Sequence, residues 1–267
     1  MTWHLVTGEY PPDCGGVGDY TALLARALRR AGEEVQVWVP GDANATGNTS
    51  ESVRGLPDRF GSRSRETLAR AWQQQPGVVL LQYVPNALGV KGANLSFCRW
   101  LRGMLADALK AIATPWRALF VGAGPLEADL KSFASEHPDQ VRVVTGVAHG
   151  EMPRWLNAMS MLCAPSQTTA KWREQFGRMS IEAMACGVPV IASESGEIPH
   201  VVGDAGLLVG ERDRAAWTQT IRRVLRDATV RCDLGRRGRA RVEQRFAWPV
   251  VARQHLEFFE SLVTAET

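Results

Sequence analysis

Residues Glu174 to Pro199 read EQFGRMSIEAMACGVPVIASESGEIP, and this stretch decides the fold. After Gly177 come the helix formers Met179, Ile181, Glu182, Ala183, Met184 and Ala185. They stop at Cys186-Gly187 and give way to an apolar run from Val188 to Ala192. A glycine closing a helix supplies the left-handed cap, and a short β-branched run bounded by Gly and Ser suits a strand buried on both faces. A helix feeding a covered parallel strand is therefore expected here. The chemistry of the stretch is as informative as its pattern. Glu174 stands just before the helix and Glu182 inside it, with a glycine turn at the helix start. The first turn of a helix carries N–H groups without intrahelical partners at the positive end of the dipole, which suits a phosphate. A carboxylate deeper in the helix suits the vicinal hydroxyls of a ribose. Together these features describe a sugar-nucleotide site.

Outward from this stretch the same order of elements continues. Strands are expected at 116–122, 141–145 and 161–165, with helices at 126–135 and 152–159 between them and closing helices from Ala215 and Val250. Upstream, a first strand at 3–7, the run GEYPPDCGGVGDY, a helix at 21–31 and a second strand at 35–39 form a βαβ opening. Residues 41–65 read as a surface connection, 66–75 as a short helix and 77–83 as a buried strand, and apolar residues recur at helical spacing over 94–113. Alternating strand and helix argues for an α/β chain with parallel sheets. Gly15, Gly16 and Gly18 allow close approach of backbone to a ligand. Their spacing is not G-x-G-x-x-G, however, and the second strand ends in Pro40-Gly41, with Asp42 the only nearby acid. That pattern argues against a nicotinamide dinucleotide.

The motif Glu174-Gln175-Phe176-Gly177, with Glu182 eight residues on, then EAMACGVPVIAS and SGEIP, resembles the donor-site signature of the GT-B retaining glycosyltransferases of family 4, the group 1 glycosyl transferases. The resemblance continues through VGAGPLEADL at 121–130, GVAHGEMPRWL at 146–156, GDAGLLV at 203–209 and RFAWPVVARQHLEFF at 245–259. It implies two Rossmann-like parallel-sheet domains: a truncated acceptor-side domain at 1–104, whose glycine loop faces the interdomain cleft, and a nucleotide-sugar domain at 105–267. It also implies transfer of a hexose from a nucleoside diphosphate sugar to an acceptor, glycan, lipid or small molecule, with retention of configuration. In that reading Glu174 is the catalytic carboxylate that accepts from the transferred sugar, and Glu182 holds the ribose. Phe176, Gly177, Arg178 and Met179 surround the diphosphate, Val147 meets the base, and Gly122 and Gly124 line the donor side. Neither cofactor nor metal is implied. The last helix would return to the first domain in the family; an ordinary terminal helix on its own sheet is the alternative.

The chain departs from that family between Trp100 and Pro115. A domain of roughly 150 residues is typical, and the second half leaves only about a hundred for the first. The later strands of the first domain and the basic motif that neutralises the diphosphate are expected to be missing. Lys91, Arg99 and Lys110 do not stand in a matching context. Two function classes follow: a working transferase, or a binding remnant that holds a nucleotide sugar or a protein partner without turnover. An exposed apolar face around 101–112, or a homo-oligomer covering it, is the structural expectation.

Composition sets the remaining bounds. Of 267 residues 45% are hydrophobic and 22% charged, which fits a globular chain with a sizeable core. A net charge of +3 is too small to argue for nucleic acid. The run Arg236-Arg237-Gly238-Arg239-Ala240-Arg241 reads as a solvated helix face, with peripheral contact to an anionic membrane as the alternative. Cys14, Cys98, Cys163, Cys186 and Cys232 are scattered and form no C-x-x-C pair, so they read as reduced thiols. The opening MTWHLVTGEYPP lacks a basic n-region, and a cytoplasmic location is expected. His149 and His200 read as surface histidines rather than acid/base groups.

Overall fold

The computed structural model describes residues 2–8, 10–11, 16–41, 52–57, 62–82, 117–122, 127–169 and 173–264. The chain forms two compact units, one made of Met1–Lys91 with Arg245–Thr267 and the other of Gly92–Gln244.

The first unit is built on a parallel sheet of β1 (Thr2–Thr7), β2 (Glu34–Pro40), β3 (Val53–Leu56) and β4 (Val78–Gln82), in the order β3-β2-β1-β4. Trp3, Leu5, Val35, Val37 and Val39 are buried on one face and His4, Val6, Gln36 and Trp38 on the other, the signature of strands covered on both faces. His4 is a satisfied core histidine. It accepts from Trp38 Nε1–H at Nδ1 over 3.2 Å, which leaves Nε2 protonated to donate to the Gln75 carbonyl at 2.8 Å. Helix α1 (Gly16–Arg30) begins five residues earlier than its expected start at Thr21. The Thr21 hydroxyl donates back to the Val17 carbonyl at 2.8 Å, so Gly16 and Gly18 lie within the first helical turn rather than in a loop. Gly15 lies outside the described residues. Within the stretch expected to be surface connection, Val53–Leu56 is a strand. Its side chains give little alternation, yet it pairs with β2 and buries Leu56 completely. Helix α2 (Ser62–Gln74) follows it.

In the second unit, β5 (Ala118–Val121) pairs parallel with β6 (Val141–Val144), and α3 (Glu127–Glu136) connects them. A three-stranded parallel sheet follows in the order β7 (Leu162–Ala164), β8 (Val190–Ser193) and β9 (Leu207–Val209). Helices α4 (Met152–Asn157), α5 (Arg178–Ala185), α6 (Ile198–Val202), α7 (Arg214–Arg226) and α8 (Ala228–Arg245) complete it. The signature helix α5 ends as its sequence dictates. Gly187 has φ 70°, its N–H reaches the Met184 carbonyl, and the Val188 N–H reaches Ala183, which is a Schellman closure. Val188 is therefore spent on the cap, and the strand begins at Val190 rather than at Val188.

Helix α8 is a solvated face in part, with Arg236 and Arg239 exposed and paired to Asp233 and Glu243, but it does more than that reading expects. Its arginines reach the carbonyl ends of other helices: Arg231 donates to Val224 and Leu225 of α7, Arg239 to Ala185 of α5, and Arg241 to His200 and Val201 of α6, at 2.6–2.8 Å. A side chain at Gly235 would place its Cβ 2.3 Å from the Gly187 carbonyl, and one at Gly238 would lie 2.9 Å from Met184 Cγ. Glycine at both positions lets α8 lie directly on the end of α5.

The last helix, α9 (Trp248–Thr264), belongs to the first unit, so the expected domain 105–267 is corrected at its C-terminal end. Ala252 is buried in the cluster formed by Trp3, Leu5, Leu24 and Leu28, and Phe259 meets Trp3 edge to face at 5.3 Å. Trp248 does the same with Tyr20 at 5.2 Å. The boundary expected at 104/105, the missing segment between Trp100 and Pro115, and the apolar face expected at 101–112 lie outside the described residues. Among the described residues no helix is long and apolar enough to cross a membrane.

Candidate donor site

The site lies where the strands of the three-stranded sheet end at their carboxyl side, the crevice of open parallel sheets. Gly177 precedes α5 with φ 76° and ψ 44°, a left-handed conformation, and an added Cβ would lie 3.0 Å from Ile198 Cγ1. The turn it makes brings the N–H groups of Phe176 and Gly177, just before α5, onto Glu174. The Glu174 carboxylate accepts from Gly177 N–H at 3.0 Å and from Phe176 N–H at 3.3 Å through one oxygen, and from the Ser166 hydroxyl at 3.4 Å through the other. The N–H of Gly177, expected to face a phosphate, is thus donated to Glu174. Phe176 and Met179 stand exposed beside this turn, at 42% and 49%.

One turn further along α5, the Glu182 carboxylate pairs with Arg178 Nε at 2.9 Å. The same oxygen lies 4.0 Å from His149 Nδ1, in the short 3-10 turn His149–Glu151. The loop after β6, with Val147 half-buried and Gly146 at φ 72°, is thereby brought to Glu182. Gly122 ends β5 with φ 141°, donates its N–H to Val144, and has open space where a Cβ would stand. Gly124 lies outside the described residues, as do Lys91, Arg99 and Lys110. Gly16 and Gly18 belong to the first unit, whereas Glu174, Phe176, Gly177, Arg178, Met179, Glu182, Val147 and Gly122 share the second. His200 pairs with Glu197 at 3.2 Å on the surface.

Two features were not read from the sequence. The Arg178 guanidinium is the ion partner of Glu182, a relation that i,i+4 spacing could have signalled. Glu211 had no local signal at all. Its carboxylate, just past β9, accepts from Thr168 N–H at 2.7 Å and from the Thr168 hydroxyl at 2.5 Å. Burial works to raise its pKa, but the bonds from Thr168 and Ser195 and the Arg212 charge outweigh it and hold the carboxyl below its ordinary value. The stability this contributes is present at neutral pH and is lost as pH falls through the lowered value. Cys163 on β7 has its thiol pushed up to about 12 by desolvation, which fits an inert packing thiol.

Residues 100–227 match the family described as glycosyl transferases group 1. Among curated relatives, a GDP-mannose-dependent monoacylated alpha-(1-6)-phosphatidylinositol monomannoside mannosyltransferase of Corynebacterium glutamicum is 31% identical over 146 residues, 54% of this chain and 38% of that protein. A D-inositol 3-phosphate glycosyltransferase of Nocardioides is 35% identical over 121 residues, 45% of this chain and 25% of that protein. The chain therefore matches well under half the length of these relatives. Among solved structures, HepE of Anabaena in complex with UDP aligns with a TM-score of 0.71 at 15% identity, over 98% of this chain and 100% of that one. Sucrose-phosphate synthase from Thermosynechococcus elongatus aligns with 0.69 at 20% identity, over 99% and 100%. The α/β fold with parallel sheets is that of the GT-B glycosyltransferases.

Proposed function

We propose that this chain, whose residues 100–227 match the group 1 glycosyltransferases, transfers a hexose from a nucleoside diphosphate sugar to a hydroxyl acceptor with retention of configuration. The observation that carries this reading is the pair of carboxylates on either side of the α5 N-terminus. Glu174 is held against the Gly177 turn, and Glu182 lies one turn along beside the loop that bears His149. Glu182 accepts from the ribose hydroxyls, with Val147 and its neighbours toward the base. The first turn of α5 meets the diphosphate, and Arg178 supplies a guanidinium at the same end. Glu174 accepts from hydroxyls of the transferred sugar. Negative charge develops on the departing diphosphate, where the helix terminus and Arg178 stabilise it more in the transition state than in the ground state. The leaving phosphate takes the acceptor proton, so no separate base is required. A glycosidase reading fails, because a hydrolase needs both carboxyls flanking the scissile bond, whereas here one of the two holds ribose.

The relatives' names suggest where to begin with substrates: GDP-mannose as donor and D-inositol 3-phosphate as acceptor, with UDP-glucose tested beside GDP-mannose as a second donor. The test is titration of the chain with UDP, GDP and ADP, followed by nucleotide release from the sugar nucleotides with an acceptor mixture. Glu182→Ala removes a charge-assisted partner worth about 1.5–3 kcal/mol, so nucleotide affinity should fall tenfold or more while the melting temperature stays close to that of the parent. Equal affinity in the two proteins would overturn the ribose assignment. Binding without nucleotide release would assign the chain to the alternative class, a binding remnant.

A further inference from the structure

We infer that Glu211 is a positioning residue for the donor site, holding Glu174 in place through Thr168 and Ser195. This rests on the reading of Glu174 given above. The parallel register sets Ala164 beside Ala192 and Ser193 beside Val209. The segments that follow β7, β8 and β9 therefore leave the sheet side by side. Glu211 comes from the third of these, Ser195 from the second and Thr168 from the first. Both Glu211 oxygens are engaged by Thr168, and the Gln167 side-chain amide donates to the Glu211 carbonyl at 3.3 Å. The Ser195 hydroxyl, fully buried, stands 3.1 Å from the Thr168 hydroxyl and bonds the Glu211 carboxylate as well, so the three side chains form one cluster.

Each segment held in this way reaches Glu174. Ser166, two residues before Thr168, donates to its carboxylate. Ser195 opens the turn in which Gly196, at φ 54°, approaches so closely that an added Cβ would stand 1.7 Å from the Glu174 carbonyl oxygen. The next residue, Glu197, donates its N–H to that same carbonyl at 3.3 Å. The backbone of Glu174 is thus fixed by one segment and its side chain by the other, and the cluster of Glu211, Thr168 and Ser195 ties the two together. A carboxylate is the right group for this task, since it presents acceptors on both oxygens to the two donors of Thr168. An amide would turn a donor toward one of them.

Thr168→Val removes the hydroxyl half of the link and leaves the Thr168 N–H on Glu211, so its effect should run in the same direction as that of Glu211→Gln, and the double variant should cost less than the sum of the two. Two readouts judge the inference. In the free protein, hydrogen exchange over 173–177 should quicken on the order of tenfold, with exchange in α7 and α8 unchanged. In titrations with UDP against UDP-glucose and GDP against GDP-mannose, free-nucleotide affinity should persist while the added affinity due to the sugar is lost. Glu211→Asp, which keeps the carboxylate, should restore part of it. Unchanged exchange at 173–177, or a rise spread evenly over the unit, would overturn the inference. Faster exchange with sugar discrimination intact would equally overturn it, since Glu211 would then hold the loop without serving the donor. Failure of the nucleotide-site reading shows separately, as indifference of UDP and GDP affinity to Glu182→Ala.

Discussion

Two consecutive helices, α8 and α9, are fastened to their units by opposite means. Helix α9 is held by apolar burial. Trp248, Val251, Ala252, Leu256 and Phe259 pack into the cluster around Trp3 and Leu28. Helix α8 contributes Leu234 and Val242 to the buried set, but much of its surface is arginine and glycine. Its arginines satisfy carbonyls at the ends of α5, α6 and α7 that would otherwise lack partners, and its glycines admit backbone contact with α5. A helix without a strong apolar stripe can thus be a structural keystone when its long cations find helix C-termini, where the macrodipole favours positive charge.

The sharpest way to break this comparison is at the apolar attachment. Trp3→Ala removes a fully buried ring from beneath Phe259. It should cost about 3–5 kcal/mol, read by urea denaturation, and should make the segment after Arg245 sensitive to protease. Persistent protection of that segment would mean that α9 does not depend on this cluster.

Next in size is the glycine contact. Gly235→Ala drives a methyl into the Gly187 carbonyl, and overpacking of this kind costs roughly 1–3 kcal/mol. Because that carbonyl belongs to the cap of α5, the loss should be accompanied by weaker nucleotide binding. A neutral substitution would show that α8 can move off α5 freely.

The smallest effect is expected from a single arginine. Arg241→Ala removes two bonds to carbonyls of α6, and its approach to Asp204 at 3.9 Å adds little because Asp204 is exposed. A loss of about 1 kcal/mol is expected, insensitive to moderate salt. A strong salt dependence would restore the reading of this run as a set of solvated charges.

Legibility in the sequence followed the range of the interactions. The alternation of strands and helices, the glycine cap at Gly187, and the placing of Glu174 and Glu182 about the start of α5 were all readable, because each depends on residues within a turn or two of one another. The early start of α1 and the strand Val53–Leu56 were misread for the same reason. Glycines before Thr21 resemble a loop, and a four-residue edge strand carries too little pattern to stand out from its polar flanks. Its pairing with β2 decides it.

By itself the sequence determined the fold class, the family resemblance carried by 174–199, and the two carboxylates expected to meet a donor. Only the tertiary structure decided that the Glu174 carboxylate occupies the Gly177 N–H, that α9 belongs with Trp3 two hundred and more residues earlier in the chain, that the α8 arginines are caps, and that Glu211 reaches Thr168. The physical reason is common to all four. A lone carboxylate, arginine or aromatic side chain is chemically ready for many partners, and its partner is selected by which strand ends and helix termini the packed core brings within about 3 Å, the reach of a hydrogen bond.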